Sequence, residues 1–206
     1  MAEQNPVSPA PSLVLASRSP RRAELLERLG LKFEIVVPDI DESFVDHEMP
    51  AGHAERLARE KAITVAHHRP DALVIGADTI VVRGSDVLGK PRSETEAVEM
   101  LVSLSGREHE VFTGVAVAGQ GRLESDLERV RVRFRHLTRH QCGEYVATGE
   151  PLDKAGAYGI QGFGSALVEE IHGDYFAVMG LPVVCTLKLL ERHGWRYAFG
   201  HLEPVS

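Results

Sequence analysis

The chain has 206 residues, 43% hydrophobic and 26% charged, the make-up of a globular domain with a core of its own. Its net charge of −7 argues against a protein built to grip a nucleic-acid polymer, yet leaves room for a small anionic ligand held by a few clustered cations. No apolar run reaches the roughly 18 residues of a membrane span. Two distant cysteines, Cys142 and Cys185, suit a reducing cytoplasm rather than a disulfide framework.

Residues 1–11, rich in Pro and Ser, lack both a basic start and an apolar stretch, so a disordered tail is expected there rather than a secretory signal. Residues 12–206 are expected to form one domain with two lobes. Leu13 to Ala16 reads as a buried strand. A helix follows, with Ser19 as N-cap, Pro20 at its first position, an apolar stripe at Leu25, Leu26 and Leu29, and Gly30 past its end. Phe33 to Val37 reads as a second strand. Pro50 opens a helix whose Ala54, Leu57, Ala58, Ala62 and Val65 share one face. Ala72 to Ala77 and Thr79 to Val82 are strand-like, and turn chemistry follows at Gly84 to Asp86. Ser93 and Glu96 predict a capping box for a helix through Leu104, ended by Gly106. Val111 to Val117 is a strand. In the next, Val130, Val132 and Phe134 alternate with Arg129, Arg131, Arg133 and Arg135, which predicts a half-buried strand with a basic outer face. Thr138 and Gln141 suggest another capping box, and Pro182 to His193 the last helix. Together these elements predict an α/β fold on a twisted mixed sheet with flanking helices.

Four segments are dense in polar and glycine residues. Ser17 to Arg22 sits at a strand-to-helix turn, where free N–H groups, hydroxyls and arginines make a ready anion site or an ordinary solvated N-cap. Asp39, Asp41 and Glu42 could ligate Mg²⁺ or simply be an acidic surface loop. Asp78 is a lone carboxylate inside an apolar run. Buried and unpaired it would cost on the order of several kcal/mol, so it must face a cleft, a metal or a base. Gly149 to Gly164 is a glycine-rich loop in which Asp153, Lys154 and Gln161 supply polar contacts.

Three other features point away from alternative functions. Gly84 to Pro91 matches the phosphate-loop pattern until its last position, where Pro91 replaces the hydroxyl residue that would hold Mg²⁺; a Walker-type NTPase is rejected, though Lys90 can still meet a phosphate as a point charge. His136, His140 and Cys142 span a helix start with no fourth ligand and read as solvated side chains. The Arg129 to Arg135 strand has no interleaved aromatics and reads as a solvated face.

The stretches LASRSPRRAELLERLG, GADTIVV, LGKP, LSGREHEVFTGV, EPLDKAGAYGIQG and GLP, in this order, resemble the Maf family of nucleotide pyrophosphatases from Leu13 to Gly194. The resemblance implies a deep cleft in a fold similar to inosine triphosphate pyrophosphatases, with a divalent metal cation, Mg²⁺ or Mn²⁺, as cofactor. It implies Asp78 as the catalytic carboxylate and, with Glu42, the metal-holding pair. Ser17, Arg21, Arg22, Lys61 and Lys90 would line the phosphates, and Thr79 and Gln161 would bear on substrate choice. Gln161 together with Lys154 matches the branch acting on dTTP and UTP. A 7-methyl-GTP pyrophosphatase and a nucleotide-binding regulator of septum formation stay open as alternatives, as does a homodimer. The chain departs from the family at Phe176-Ala177-Val178, where a small polar residue often precedes the valine.

Overall fold

The computed structural model describes residues 11–205, so the tail expected over 1–11 lies outside the described residues apart from Pro11. In chain order the elements are β1 (Ser12–Ala16), α1 (Pro20–Arg28), β2 (Glu34–Ile35), α2 (Pro50–Ala66), β3 (Ala72–Arg83), β4 (Asp86–Leu88), α3 (Glu94–Leu104), β5 (Glu108–Gly119), β6 (Arg122–Phe134) and α4 (Arg139–Val146). Three short 3₁₀ turns follow between Glu150 and Ala166, then β7 (Val168–His172), α5 (Tyr175–Met179), α6 (Val183–Arg192), β8 (Trp195–Tyr197) and β9 (Leu202–Pro204). The sheet runs β2-β1-β3-β5-β6-β7, with β4 also on β3, while β8 and β9 form a separate hairpin. The β1 pairings are parallel and the rest antiparallel, so the α/β mixed sheet is as expected. Among the described residues no helix is long and apolar enough to cross a membrane.

Strand alternation sends successive residues of β3 to opposite faces. Leu73, Ile75 and Ala77 join Val115 and Val117 of β5 under α1 and α6, while Val81 and Val111 belong to a second apolar cluster under α3 and α4. The other face is unusually tight. There α2 lays Ala54, Ala58 and Ala62 on a track of Gly76, Gly114, Ala116 and Ala118. A Cβ on Gly76 would stand 2.3 Å from the Ala58 carbonyl oxygen, and one on Gly114 2.4 Å from that of Ala54. Glycine is required at both places to let helix and strand backbones touch.

Several sequence expectations shift in detail. The strand expected at Phe33 to Val37 shrinks to Glu34–Ile35, because both its paired residues are exposed on the sheet edge and the chain peels away into a strap, residues 38–49. The two strands expected around Asp78 are one unbroken β3, since the carboxylate finds a buried cation. The predicted capping box at Ser93 is half formed: its side chain accepts from Glu96 N, but Glu96 turns to Arg92 N. At Thr138 both halves are present. Ser19 holds the N-cap backbone geometry without a side-chain cap bond, and its own N–H donates to Ser17 Oγ. The segment resembling a phosphate loop is the β3–β4 hairpin instead, and its Lys90 is exposed.

Candidate active site

Strand β1 ends opposite Gly76, and β4 begins to pair at Val81, so the edge of β3 between them is open. A cleft of about 740 Å³ lies along this gap. All ten residues proposed from sequence line it: Ser17, Arg21, Arg22, Glu42, Lys61, Asp78, Thr79, Lys90, Lys154 and Gln161. They come from the β1–α1 turn, α1, α2, the strap, β3, the β4 exit and the glycine-rich loop, which is why sequence distance concealed their proximity.

On the α2 face, Lys61 Nζ lies 2.7 Å from Asp78 Oδ1 and 2.7 Å from Glu42 Oε1. Lys61 and Asp78 are buried, and the Glu42 side chain is 57% exposed. The close α2–β3 contact at Gly76 makes this bridge possible, because it brings the lysine within reach of a mid-strand carboxylate. Burial alone would push the Glu42 carboxyl up; the Lys61 ammonium, with Lys90 and Arg22 behind it, outweighs that and holds it below the ordinary glutamate value. Of the expected acidic trio only Glu42 reaches Lys61. Asp39 lines the cleft, and Asp41 turns back to accept the Ser43 backbone N–H.

The strap that carries Glu42 is pinned from α2. Arg56 donates to Glu48 Oε1 at 2.6 Å, to Glu48 Oε2 at 2.9 Å and to the Ser43 carbonyl at 3.0 Å. His53 Nδ1 meets Glu48 at 2.8 Å, and Phe44 stacks flat on the His53 ring at 3.6 Å. The Arg56 bonds, helped by His53 and the Val45 N–H, bring the Glu48 carboxyl down to about 2.

Arg22 occupies the opposite side. Its guanidinium donates to the Gly180 carbonyl (2.7 Å), Ser17 Oγ (3.0 Å) and Thr79 Oγ1 (3.2 Å). Every one of these acceptors is neutral. Burial pulls its pKa down, though Asp78 nearby opposes the shift. A buried cation hydrogen-bonded, among the described residues, only to neutral groups leaves positive potential for an anionic ligand to complete. Arg21 and Lys154 both rest on Asp153, at 2.9 Å and 2.6 Å. Burial works against ionisation of Asp153, but Lys154 and Arg21 outweigh it and keep its carboxyl below the usual aspartate value.

Two supporting residues escaped the sequence reading. Glu150 organises the glycine-rich loop by accepting from Tyr145 Oη (2.8 Å), Phe163 N (2.9 Å) and Gly164 N (3.0 Å). Gly162 stands at φ +61°, and a Cβ there would come 2.5 Å from Glu150 Oε2, so glycine is needed to close this loop. His109 is buried, with Nε2 2.8 Å from Tyr158 Oη, and burial lowers its pKa to about 4. A neutral ring at the base of the same loop follows. The only sequence hint was a histidine within an alternating strand.

Residues 12–193 match the Maf family of Maf-like proteins. The chain belongs to the Maf-like family. Proteins named dTTP/UTP pyrophosphatase are similar to it: one from Moorella thermoacetica is 57% identical over 88% of this chain and 95% of its own length. Others from Geobacillus sp. (48% identity, covering 89% and 98%) and Symbiobacterium thermophilum (52%, covering 89% and 94%) carry the same name. Among solved structures, a HAM1 protein from Coxiella burnetii has a TM-score of 0.42 at 18% identity, over 76% of this chain and 80% of that one. The family match spans the strands, helices and loops that bring all ten cleft residues together.

Proposed function

We propose that this Maf-family chain is a nucleoside triphosphate pyrophosphatase that hydrolyses dTTP and UTP to the monophosphate and pyrophosphate in the cytoplasm. The observation that carries the reading is the cleft itself: a Glu42–Lys61–Asp78 bridge on one side faces Arg21, Arg22, Lys90 and Lys154, an arrangement suited to a polyanion. The names of the relatives support the same chemistry. Free, buried Cys142 and Cys185 support the compartment.

Glu42 and Asp78 are the residues that would hold Mg²⁺ or Mn²⁺. What fits a small hard cation is the pair of carboxylate oxygens, each 2.7 Å from the Lys61 nitrogen; no third His, Cys, Asp or Glu joins them in a metal-holding group among the described residues. A small hard cation bound through one or two carboxylates takes its other ligands from water and phosphate. When bound, it supplies charge neutralisation on the phosphate oxygens.

The protein side of the reaction follows from the side chains. Asp78 orients water and accepts its proton as the water oxygen attacks the α-phosphorus. The bond from that phosphorus to its bridging oxygen breaks, and pyrophosphate leaves against Arg21, Lys90 and Lys154. The new oxygen stays on the nucleoside monophosphate. Thr79 and Gln161 would read the base; that both line the cleft, one on the β3 face away from Asp78 and one on the glycine-rich loop, supports this.

A pyrophosphate-release screen over the common nucleoside triphosphates and 7-methyl-GTP tests the reading, with products assigned by phosphorus NMR. UTP and dTTP should lead. Orthophosphate with a nucleoside diphosphate, or a preference for 7-methyl-GTP, overturns it.

A further inference from the structure

We infer that Thr113, set behind the cleft wall on β5, is a positioning residue for base choice: it fixes the Thr79 hydroxyl as a hydrogen-bond acceptor. That polarity suits the N3–H of uracil or thymine and repels the bare N3 of cytosine. The inference rests on the dTTP and UTP reading above.

Thr113 is fully buried and sits directly across from Thr79 in the β3–β5 register. Its Oγ1 is 2.8 Å from the Ala177 carbonyl oxygen and 3.1 Å from Thr79 Oγ1. A carbonyl oxygen has no proton to give, so the 2.8 Å contact consumes the single hydroxyl proton of Thr113. The contact between the two threonines must then use the proton of Thr79. Arg22 Nη2 donates to the same Thr79 oxygen at 3.2 Å. A hydroxyl has one proton and two lone pairs. With the proton aimed at Thr113 and one lone pair taken by Arg22, one acceptor site remains, and half-buried Thr79 lines the cleft.

The Gln161 amide cannot supply this discrimination alone. Its oxygen and nitrogen exchange places by rotation, so it can satisfy the uracil edge or the cytosine edge equally well. A hydroxyl locked by a buried relay cannot turn over. The relay also sits at the step between the two apolar clusters of that sheet face, where Ala77 and Val115 belong to one and Val81 and Val111 to the other. On that side the partner of Thr79 is itself fully buried.

Thr113→Val keeps the shape and removes the relay. Ala177 O keeps the Gly180 N–H at 2.9 Å, so the variant leaves that carbonyl satisfied. Freed of its acceptor, the Thr79 proton can turn to the cleft and donate to cytosine N3. Steady-state kinetics on UTP and CTP should show wild type favouring UTP, and Thr113→Val lowering the UTP-to-CTP ratio of kcat/KM at least about tenfold. The change should include a lower KM for CTP, a gain that a general packing defect would not produce. Thr113→Ser, which keeps the hydroxyl, should retain the wild-type ratio, and Thr113→Ala repeats the test if the valine variant fails to fold. A wild-type ratio in Thr113→Val and Thr113→Ala, or a collapsed ratio in Thr113→Ser, overturns the inference while the substrate reading stands. A wild-type enzyme that does not favour UTP overturns both.

Discussion

Lys61→Met tests the centre of the cleft, because the structure assigns unequal consequences to the two ends of one ion pair. Asp78 is buried, and its ion-pair partner among the described residues is Lys61 at 2.7 Å. Removing the ammonium leaves the carboxylate at the tight α2–β3 seam without its ion-pair partner, with Arg22 remaining only as a more distant opposite charge. Stripping one partner from a buried pair costs about 3–5 kcal/mol, most of it the stranded charge. Asp78→Asn is different. Lys61 then keeps Glu42 at 2.7 Å, and the neutral amide still accepts a hydrogen bond, so a loss of about 1 kcal/mol is expected. In the double variant Lys61→Met/Asp78→Asn no buried charge is stranded, and Glu42, already half in water, can turn outward. It should therefore be at least about 2 kcal/mol more stable than the sum of the single losses implies. Urea unfolding at neutral pH, extrapolated to water for all four proteins, measures this coupling.

The same series separates charge from catalysis. Asp78→Asn should stay folded while hydrolysis falls about 10²–10⁴-fold, the range for loss of a general base. If Glu42 and Asp78 hold the metal as proposed, Lys61→Met should bind Mg²⁺ between them, and Mg²⁺ at a hundredfold excess over its Kd would restore about 2.7 kcal/mol. The double variant should gain much less. Additive losses within about 0.5 kcal/mol would refute the stranded-charge argument, and equal Mg²⁺ stabilisation of Lys61→Met and the double variant would refute the assignment of Asp78 to the metal.

Gly76→Ala should destabilise by about 1–3 kcal/mol or more and lower kcat, because its Cβ falls 2.3 Å from the Ala58 carbonyl and must push α2, with Lys61, off the sheet; thermal unfolding and kinetics together check it. The Glu48 carboxyl sits near 2 when folded against 4.5 in an open chain, so its clamp contributes fully above about pH 4.5 and is lost as pH falls toward 2. Glu48→Gln should accordingly lower Tm at neutral pH, with the two Tm curves converging in acid. Gln161→Glu should weaken UTP and dTTP selectively, by about tenfold in kcat/KM, since a carboxylate cannot donate to a pyrimidine carbonyl; equal slowing of UTP, dTTP, GTP and 7-methyl-GTP would contradict it.

How much of this was legible in the sequence depends on the range of the interaction. Strands and helices marked by local periodicity, such as Ser12–Ala16 and the Ala54 to Val65 face of α2, appear where expected. Short elements with no periodicity, including Tyr175–Met179 and Trp195–Tyr197, did not announce themselves. The same holds within the site. Asp78 was conspicuous because a charge in an apolar strand violates a local rule, and that violation demanded a partner. The identity of the partner was not local: Lys61 lies 17 residues away on a helix whose position depends on Gly76 and Gly114. Glu150 and Thr113 look unremarkable in sequence, because a loop clasp and a hydroxyl relay leave no periodic trace.

One step of backbone geometry ties these observations together. Asp78 and Thr79 are neighbours in a single strand, so the pleat must send them to opposite faces. Asp78 meets the cations and carboxylates brought by α2 and the strap; Thr79 meets Arg22 and Thr113 under α1 and α5. Both faces remain in reach of one ligand because β3 runs past the end of β1 and leaves its edge uncovered until β4 begins. In the function proposed above, bond cleavage and base reading would thus be separated by one peptide unit and coupled by the rigidity of a paired strand. A bulge in β3 between these residues would break that division, since an inserted residue would turn Thr79 onto the same face as Asp78. The unbroken β3–β5 pairing from Val74 to Val82 holds the two side chains on opposite faces.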